Sequence, residues 1–335
     1  MKVLGVCAGN GVILYSLKDY LKGNIEPRAI FHSKENSQWK ANFKGIPFKT
    51  EYNEDLIHWR KRGIDVIIGN PDCGHSSKFS YSRSKKLSDP RDNKSVSLYL
   101  NAIKVIKPKI FLMENLPKLM DIYNVDFWYN TFPEYEFVFH VLSVNKFGNS
   151  QKDRIRLLVI GINKGFFNKD IDKVRYHFLN IYKVSSEKFT GELLKGLEHE
   201  NIKIGHIRED INSEITLYAG FKIKLGEVQK FWLNNPNLKR YKVYDKKFTT
   251  APGVYRNPEK SFPSTARKAN RQFNPKGLQM SPRELARIQG VPDDFNLYFE
   301  NSNIGYWINK GRATVTKTPP WEIGEWFKNQ ITKIL

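Results

Sequence analysis

The sequence predicts an α/β chain: a mostly parallel sheet with helices on both faces, plus a smaller lobe. Two observations lead there. Short apolar runs alternate with helically spaced segments through the first half, as in strand–helix–strand units. After about Gly165 that alternation stops and mixed charge takes over. Lys2–Val6 is the first strand-like run, and Gly9-Asn10-Gly11 turns it into an amphipathic stretch, Val12–Leu21, that ends at Gly23. Ala29–His32 is a second apolar run. Asp65–Ile68 reads as a buried strand bounded by glycines. Leu98–Ile106 has helical spacing, Pro108 stops it, and Lys109–Met113 reads as a strand. Phe137–Val144 and Leu157–Ile162 complete the series.

Residues 166–260 read as a separate lobe. Within it, Phe221–Thr250 carries eight Lys/Arg against two acids, with Trp232, Tyr241 and Tyr244 interleaved. Ser281-Pro282-Arg283-Glu284 then opens a helix, with Ser at the N-cap, Pro at N1 and Glu at N3. The expected division is 1–165 plus 296–335 for the larger domain, and 166–295 for the lobe and its supporting helix.

Composition narrows the function. The 335 residues carry 55 Lys+Arg against 34 Asp+Glu, a net charge of +21 that calls for a polyanionic partner, most simply nucleic acid. Forty per cent hydrophobic and 13% aromatic residues exclude general disorder. The longest apolar runs fall short of the ~18 residues a membrane helix needs. The opening segment lacks the apolar run and cleavage site of a signal peptide. Two cysteines, Cys7 and Cys73, cannot build a disulfide framework. The expectation is a cytoplasmic monomer with neither membrane nor metal.

Four segments carry chemistry. Gly9-Asn10-Gly11 lies between a strand and a helix, where glycines let backbone approach a ligand. In Asp65–Ser77 a strand ends in Gly69-Asn70-Pro71-Asp72-Cys73, beyond the strand's carboxyl end, where open α/β sheets bind ligands. A thiolate there is a nucleophile, and basic surroundings lower its pKa. Glu114-Asn115 follows the strand Lys109–Met113, and a carboxylate at the end of a buried strand is costly unless it pairs or works. Arg154 and Arg156 share one face of an extended segment, as contacts to a base carbonyl and a phosphate require.

The order of these segments (a glycine loop, P-x-C, E-N, paired arginines, then RELARIQGVPDDF at 283–295) resembles the DNA cytosine-5 methyltransferase family. The resemblance covers 1–164 and about 250–335 and implies a Rossmann-like, S-adenosylmethionine-dependent methyltransferase domain with a target-recognition lobe. It implies methyl transfer to C5 of cytosine in double-stranded DNA, after the base leaves the duplex. By resemblance, Cys73 is the nucleophile at C6, Glu114 holds and protonates N3, and Arg156 meets O2 with Arg154 beside it. Cys7, Ala8, Gly9, Asn10 and Gly11 look like the cofactor loop, joined by Asn70 and Pro71, with Glu35 as the ribose acid and Arg312 near the methionine end. Lys78, Arg83, Lys85 and Lys86, in the basic loop after Cys73, and Arg256 look like DNA contacts.

The chain departs from the family pattern in four places. Asp72 stands between Pro71 and Cys73, Cys7 replaces a Phe, one extra residue separates Gln151 from Arg154, and Lys310–Thr314 replaces a Gly-Asn. Arg312 near a sulfonium admits a carboxylated S-adenosylmethionine as a variant cofactor. The alternatives are an RNA cytosine-5 methyltransferase and a catalytically impaired DNA-binding relative. A single small lobe suits a restriction-modification or phage enzyme.

Overall fold

The structure is a computed structural model and describes residues 1–21, 41–46, 56–72, 93–181, 188–195, 240–242, 254–256, 263, 282–297 and 315–335. The chain divides into two compact units. The first comprises Met1–Phe147, Ile155–Lys183 and Pro319–Leu335, and the second Gly148–Arg154 and Val184–Thr318.

Five described strands form the first unit's sheet: β1 (Val3–Gly5), β2 (Val66–Gly69), β3 (Ile110–Asn115), β4 (Tyr135–Ser143) and β5 (Ile155–Asn163). Their spatial order is β1-β2-β3-β5-β4. β1, β2 and β3 run parallel, whereas β5 is antiparallel to both neighbours. The sheet is mostly parallel, as expected, with one reversed strand. The chain leaves β4 and returns between β3 and β4, as a hairpin does. β2 and β3 are buried along their whole length, the signature of strands covered on both faces. The expected run Ala29–His32 lies outside the described residues.

The helices of this unit are α1 (Val12–Tyr15), α2 (Leu56–Lys61), α3 (Lys94–Ile106), α4 (Val125–Thr131), α5 (Lys164–Phe167) and α6 (Ile171–Leu179). A last one, Trp321–Ile331, is numbered α9 in chain order. The expected amphipathic stretch Val12–Leu21 is instead one helical turn, buried on every side, followed by a 3₁₀ turn at Lys18–Tyr20.

One sheet face carries the main core, in which Phe111 meets Trp128, Tyr135 and Phe137 at ring separations of 5.2–6.1 Å. α2, α3 and α4 supply Trp59, Tyr99, Ile103 and Trp128 to it. The Tyr99 hydroxyl donates to Leu112 O at 2.7 Å and the Tyr135 hydroxyl to Pro108 O at 2.8 Å, so neither ring buries an idle polar atom. Burial raises the pKa of both phenols.

The opposite face carries α6 and α9, whose Phe178 and Phe327 rings stack at 5.8 Å. That stack is why residues 166–183, expected to open the lobe, fall in the first unit. α9 lies against α1, and a Cβ at Gly324 would stand 2.6 Å from Ser16 Oγ and 2.9 Å from Ile13 O.

The second unit holds α7 (Thr190–Leu194), α8 (Pro282–Ile288) and the two-stranded β6 (Arg240–Lys242) and β7 (Val254–Arg256). Residues 296–318, expected in the larger domain, belong to it. The expected helix-opening Ser281 lies outside the described residues. Arg283 is 1% exposed and donates to Pro292 O at 3.0 Å and Phe295 O at 2.6 Å. Burial pushes its guanidinium down to about 10. Asn149 and Gln151 amides donate to Ile288 O, an end carbonyl of α8 that has no partner further along the helix.

His140 of β4 yields one expectation. Its Nε2 lies 2.7 Å from Phe178 O, so the Nε2–H form donates, and burial lowers its pKa. The unfolded chain therefore takes up the proton first. His140's contribution is complete above about pH 6.5 and declines as pH falls below it. The stability advantage of the wild type over His140→Gln, read by urea denaturation, should shrink between about pH 7.5 and about pH 5.5. An advantage constant over that range contradicts a buried neutral ring.

Candidate active site

The carboxyl ends of β1, β2 and β3 meet in one place, because these strands are parallel and adjacent. β1 runs out into Cys7-Ala8-Gly9-Asn10-Gly11. Cys7, Gly9 and Gly11 take positive φ angles of 53°, 62° and 86°. The two glycines suit that backbone at no steric cost, whereas Cys7 adopts it with a side chain. Cys7 is 8% exposed and its Sγ donates to Ser95 O at 3.4 Å. Gly9 and Asn10 are half-buried. Across from them, Asn70 N donates to Cys7 O at 3.3 Å, and a Cβ at Gly9 would lie 3.1 Å from the Asn70 amide. The glycine loop and the end of β2 are thus packed backbone to side chain.

β2 continues into Asn70, Pro71 and Asp72. Asn115 Nδ2 donates to Pro71 O at 3.0 Å, while its Oδ1 accepts from Leu116 N at 2.8 Å. On the other side, Asn93 Nδ2 donates to Asp72 O at 2.5 Å and Asp72 N donates to Ser95 Oγ at 2.8 Å. The Asp72 residue is exposed.

Glu114 lies within β3 rather than after it, and is 5% exposed. The register pairs Glu114 with Leu158, so Arg156, two residues back along β5, shares its face. Arg156 Nε stands 2.9 Å from Glu114 Oε1, with side-chain exposures of 14% and 7%. A buried carboxylate is tolerable only with such a partner. Arg154 goes elsewhere: it is 1% exposed and its Nη2 donates to Thr318 O at 2.7 Å. The two guanidiniums expected to act side by side therefore have different partners. The unit boundary falls between Arg154 and Ile155.

Cys73, Glu35, Lys78, Arg83, Lys85, Lys86 and Arg312 lie outside the described residues. Arg256 stands on β7. Among the described residues no group of three or more His, Cys, Asp or Glu side chains could hold a metal, and no helix is long and apolar enough to cross a membrane. Sequence reasoning passed over Asn93 and Ser95. An Asn five residues before the first residue of the expected helix was the one available signal, that of an N-cap.

A glycine turn, a buried carboxylate and the backbone-held Pro71-Asp72 thus stand together at the ends of parallel strands in this α/β unit. Two methyltransferase structures share the fold. The Entamoeba histolytica methyltransferase EhMeth superposes with a TM-score of 0.63 at 14% identity, over 99% of this chain and 98% of that one. The S. pombe Dnmt2 methyltransferase gives 0.60 at 13%, over 99% and 98%. The chain belongs to the C-5 cytosine-specific DNA methylase family, whose model matches residues 2–308. Among curated relatives, the type II methyltransferase M.FnuDI of Fusobacterium nucleatum is 24% identical over 80% of this chain and 78% of its own. M.MthTI of Methanothermobacter thermautotrophicus is 26% identical over 81% and 83%. The protein is accordingly a DNA cytosine-5 methyltransferase.

Asn115→Leu, which removes the donor to Pro71 O, should destabilise the first unit by about 1–3 kcal/mol in urea denaturation. An unchanged midpoint would show that Pro71 O needs no such partner.

Proposed function

We propose that the protein methylates C5 of a cytosine rotated out of double-stranded DNA, through a transient bond between Cys73 and C6 of the ring. The observation that carries this reading is the Glu114–Arg156 pair. It is a carboxyl buried beside the end of β2 and held by one guanidinium.

The chemistry requires that arrangement. Cytosine C5 is a weak nucleophile while the ring is aromatic. The Cys73 thiolate forms the S–C6 bond, and the displaced π electrons pass toward C5 and N3. Glu114 takes up a proton from solvent when the base enters, donates it to N3 and neutralises the charge arriving there. Arg156 orients Glu114 and, in the complex, reaches O2. The family implies S-adenosylmethionine, which supplies an electrophilic methyl group when bound. The turn at residues 7–11 fits it, since positive-φ glycines keep the backbone open and Asn70 backs that turn. Once C5 carries the methyl group, its proton leaves to a base. The electron pair then re-forms the C5–C6 double bond and expels the Cys73 thiolate, and the N3 proton returns to Glu114. Lys78, Arg83, Lys85, Lys86 and Arg256 supply phosphate contacts, which position without specifying. The second unit then reads the target sequence, and one copy of the chain suffices.

With labelled S-adenosylmethionine and mixed-sequence duplex DNA, the wild type should transfer label that sequencing places on cytosine C5. Cys73→Ala should transfer none, and Glu114→Gln should be slower by roughly 10²–10⁴-fold. Transfer to RNA in preference to duplex DNA, or full activity in Cys73→Ala, overturns the reading.

A further inference from the structure

We propose that Asn93 and Ser95, in the first turn of α3, are positioning residues for the nucleophile. They set the peptide immediately before Cys73 and hence the thiol's approach to the ring. The inference rests on reading Cys73 as the attacking group.

Asp72 is gripped at both of its backbone polar groups. Its N–H donates to Ser95 Oγ at 2.8 Å and its carbonyl accepts from Asn93 Nδ2 at 2.5 Å. Ser95 Oγ in turn donates to Asn93 Oδ1 at 2.8 Å, which closes the ring of contacts. Asn93 and Ser95 are 4% and 2% exposed, so water competes little for these bonds. One peptide earlier, Asn115 holds Pro71 O. The chain is thus tied at consecutive residues just before position 73.

Helix capping alone does not explain Asn93. As N-cap, its Oδ1 accepts from Ser95 N at 3.1 Å and Val96 N at 3.4 Å. That task needs only an acceptor, and Asp or Ser performs it as well. The amide donor is required by Asp72 O. The same turn also reaches the glycine loop, since Ser95 O accepts from Cys7 Sγ. One helical turn thereby braces the two loops whose reacting groups must meet at a single ring. The demand on precision is steep: a misplacement of about 1 Å can slow a positioned reaction by about 10²-fold.

Asn93→Asp separates the two tasks. It keeps the capping acceptor, removes the donor and sets a carboxylate against Asp72 O. Three quantities are read on the full chain: the thermal midpoint, the affinity for duplex DNA, and the single-turnover rate alongside covalent capture by duplex DNA carrying 5-fluorocytosine. With midpoint and affinity held, Asn93→Asp should slow methyl transfer and capture together by about 10–100-fold. Ser95→Ala should do likewise, and Ser95→Thr, which keeps the hydroxyl, should restore the rate. Should Asn93→Asp fail to fold, the Ser95→Ala and Ser95→Thr comparison decides alone. Wild-type capture and transfer rates in Asn93→Asp or Ser95→Ala overturn the positioning role while leaving the Cys73 reading intact. A wild type that methylates DNA yet is never captured overturns the Cys73 reading, and the positioning role with it.

Discussion

A carboxylate buried in the middle of a sheet is the constraint around which this protein is arranged. Glu114 occupies a strand whose every residue is buried, and Arg156 on the neighbouring strand makes that tolerable. Satisfying the pair sets the topology near it. β5 must lie beside β3, and the antiparallel register must put Arg156 on the face Glu114 uses. A slip of one residue would turn the guanidinium to the opposite face, into the aromatic core around Phe111. The hairpin that inserts β5 between β3 and β4 is thus part of the site as well as of the sheet.

Around that pair, side-chain amides and a hydroxyl hold the loops at the strand ends. Asn70 backs the glycine turn, Asn115 holds Pro71, and Asn93 with Ser95 holds Asp72. Amides and hydroxyls suit this place because they satisfy backbone groups beyond the reach of the sheet ladder. They also fix direction, which apolar contacts do not. The exposed Asp72 side chain bears on the unusual Asp-Cys order. The residue is anchored through both of its backbone polar groups, to Ser95 and to Asn93.

Much of this was legible in the sequence, for physical reasons. Continuous apolar runs such as those of β2 and β3 announce strands covered on both faces, and a carboxylate closing one of them announces a partner or a task. The family pattern lay in short local motifs, and the family model spans them. What depended on distant contacts was hidden. The reversal of β5 follows from which strand its hairpin enters, and an apolar run reads the same in either direction. Arg154 and Arg156 alternate as one face of a strand should, yet the strand begins only at Ile155, and Arg154 turns to Thr318. The extent of β3 was underestimated because polar Glu114 and Asn115 do not look like strand residues. Asn93 was passed over because its second partner, Asp72, is 21 residues away.

The most direct test of the account is a double-mutant cycle on Glu114 and Arg156, read as the single-turnover rate of methyl transfer to duplex DNA. If Arg156 acts by holding Glu114, the two losses are strongly non-additive, and Glu114→Gln/Arg156→Ala reacts no more slowly than the worse single variant. If the losses multiply, the pair seen in the sheet is not the unit that does the chemistry.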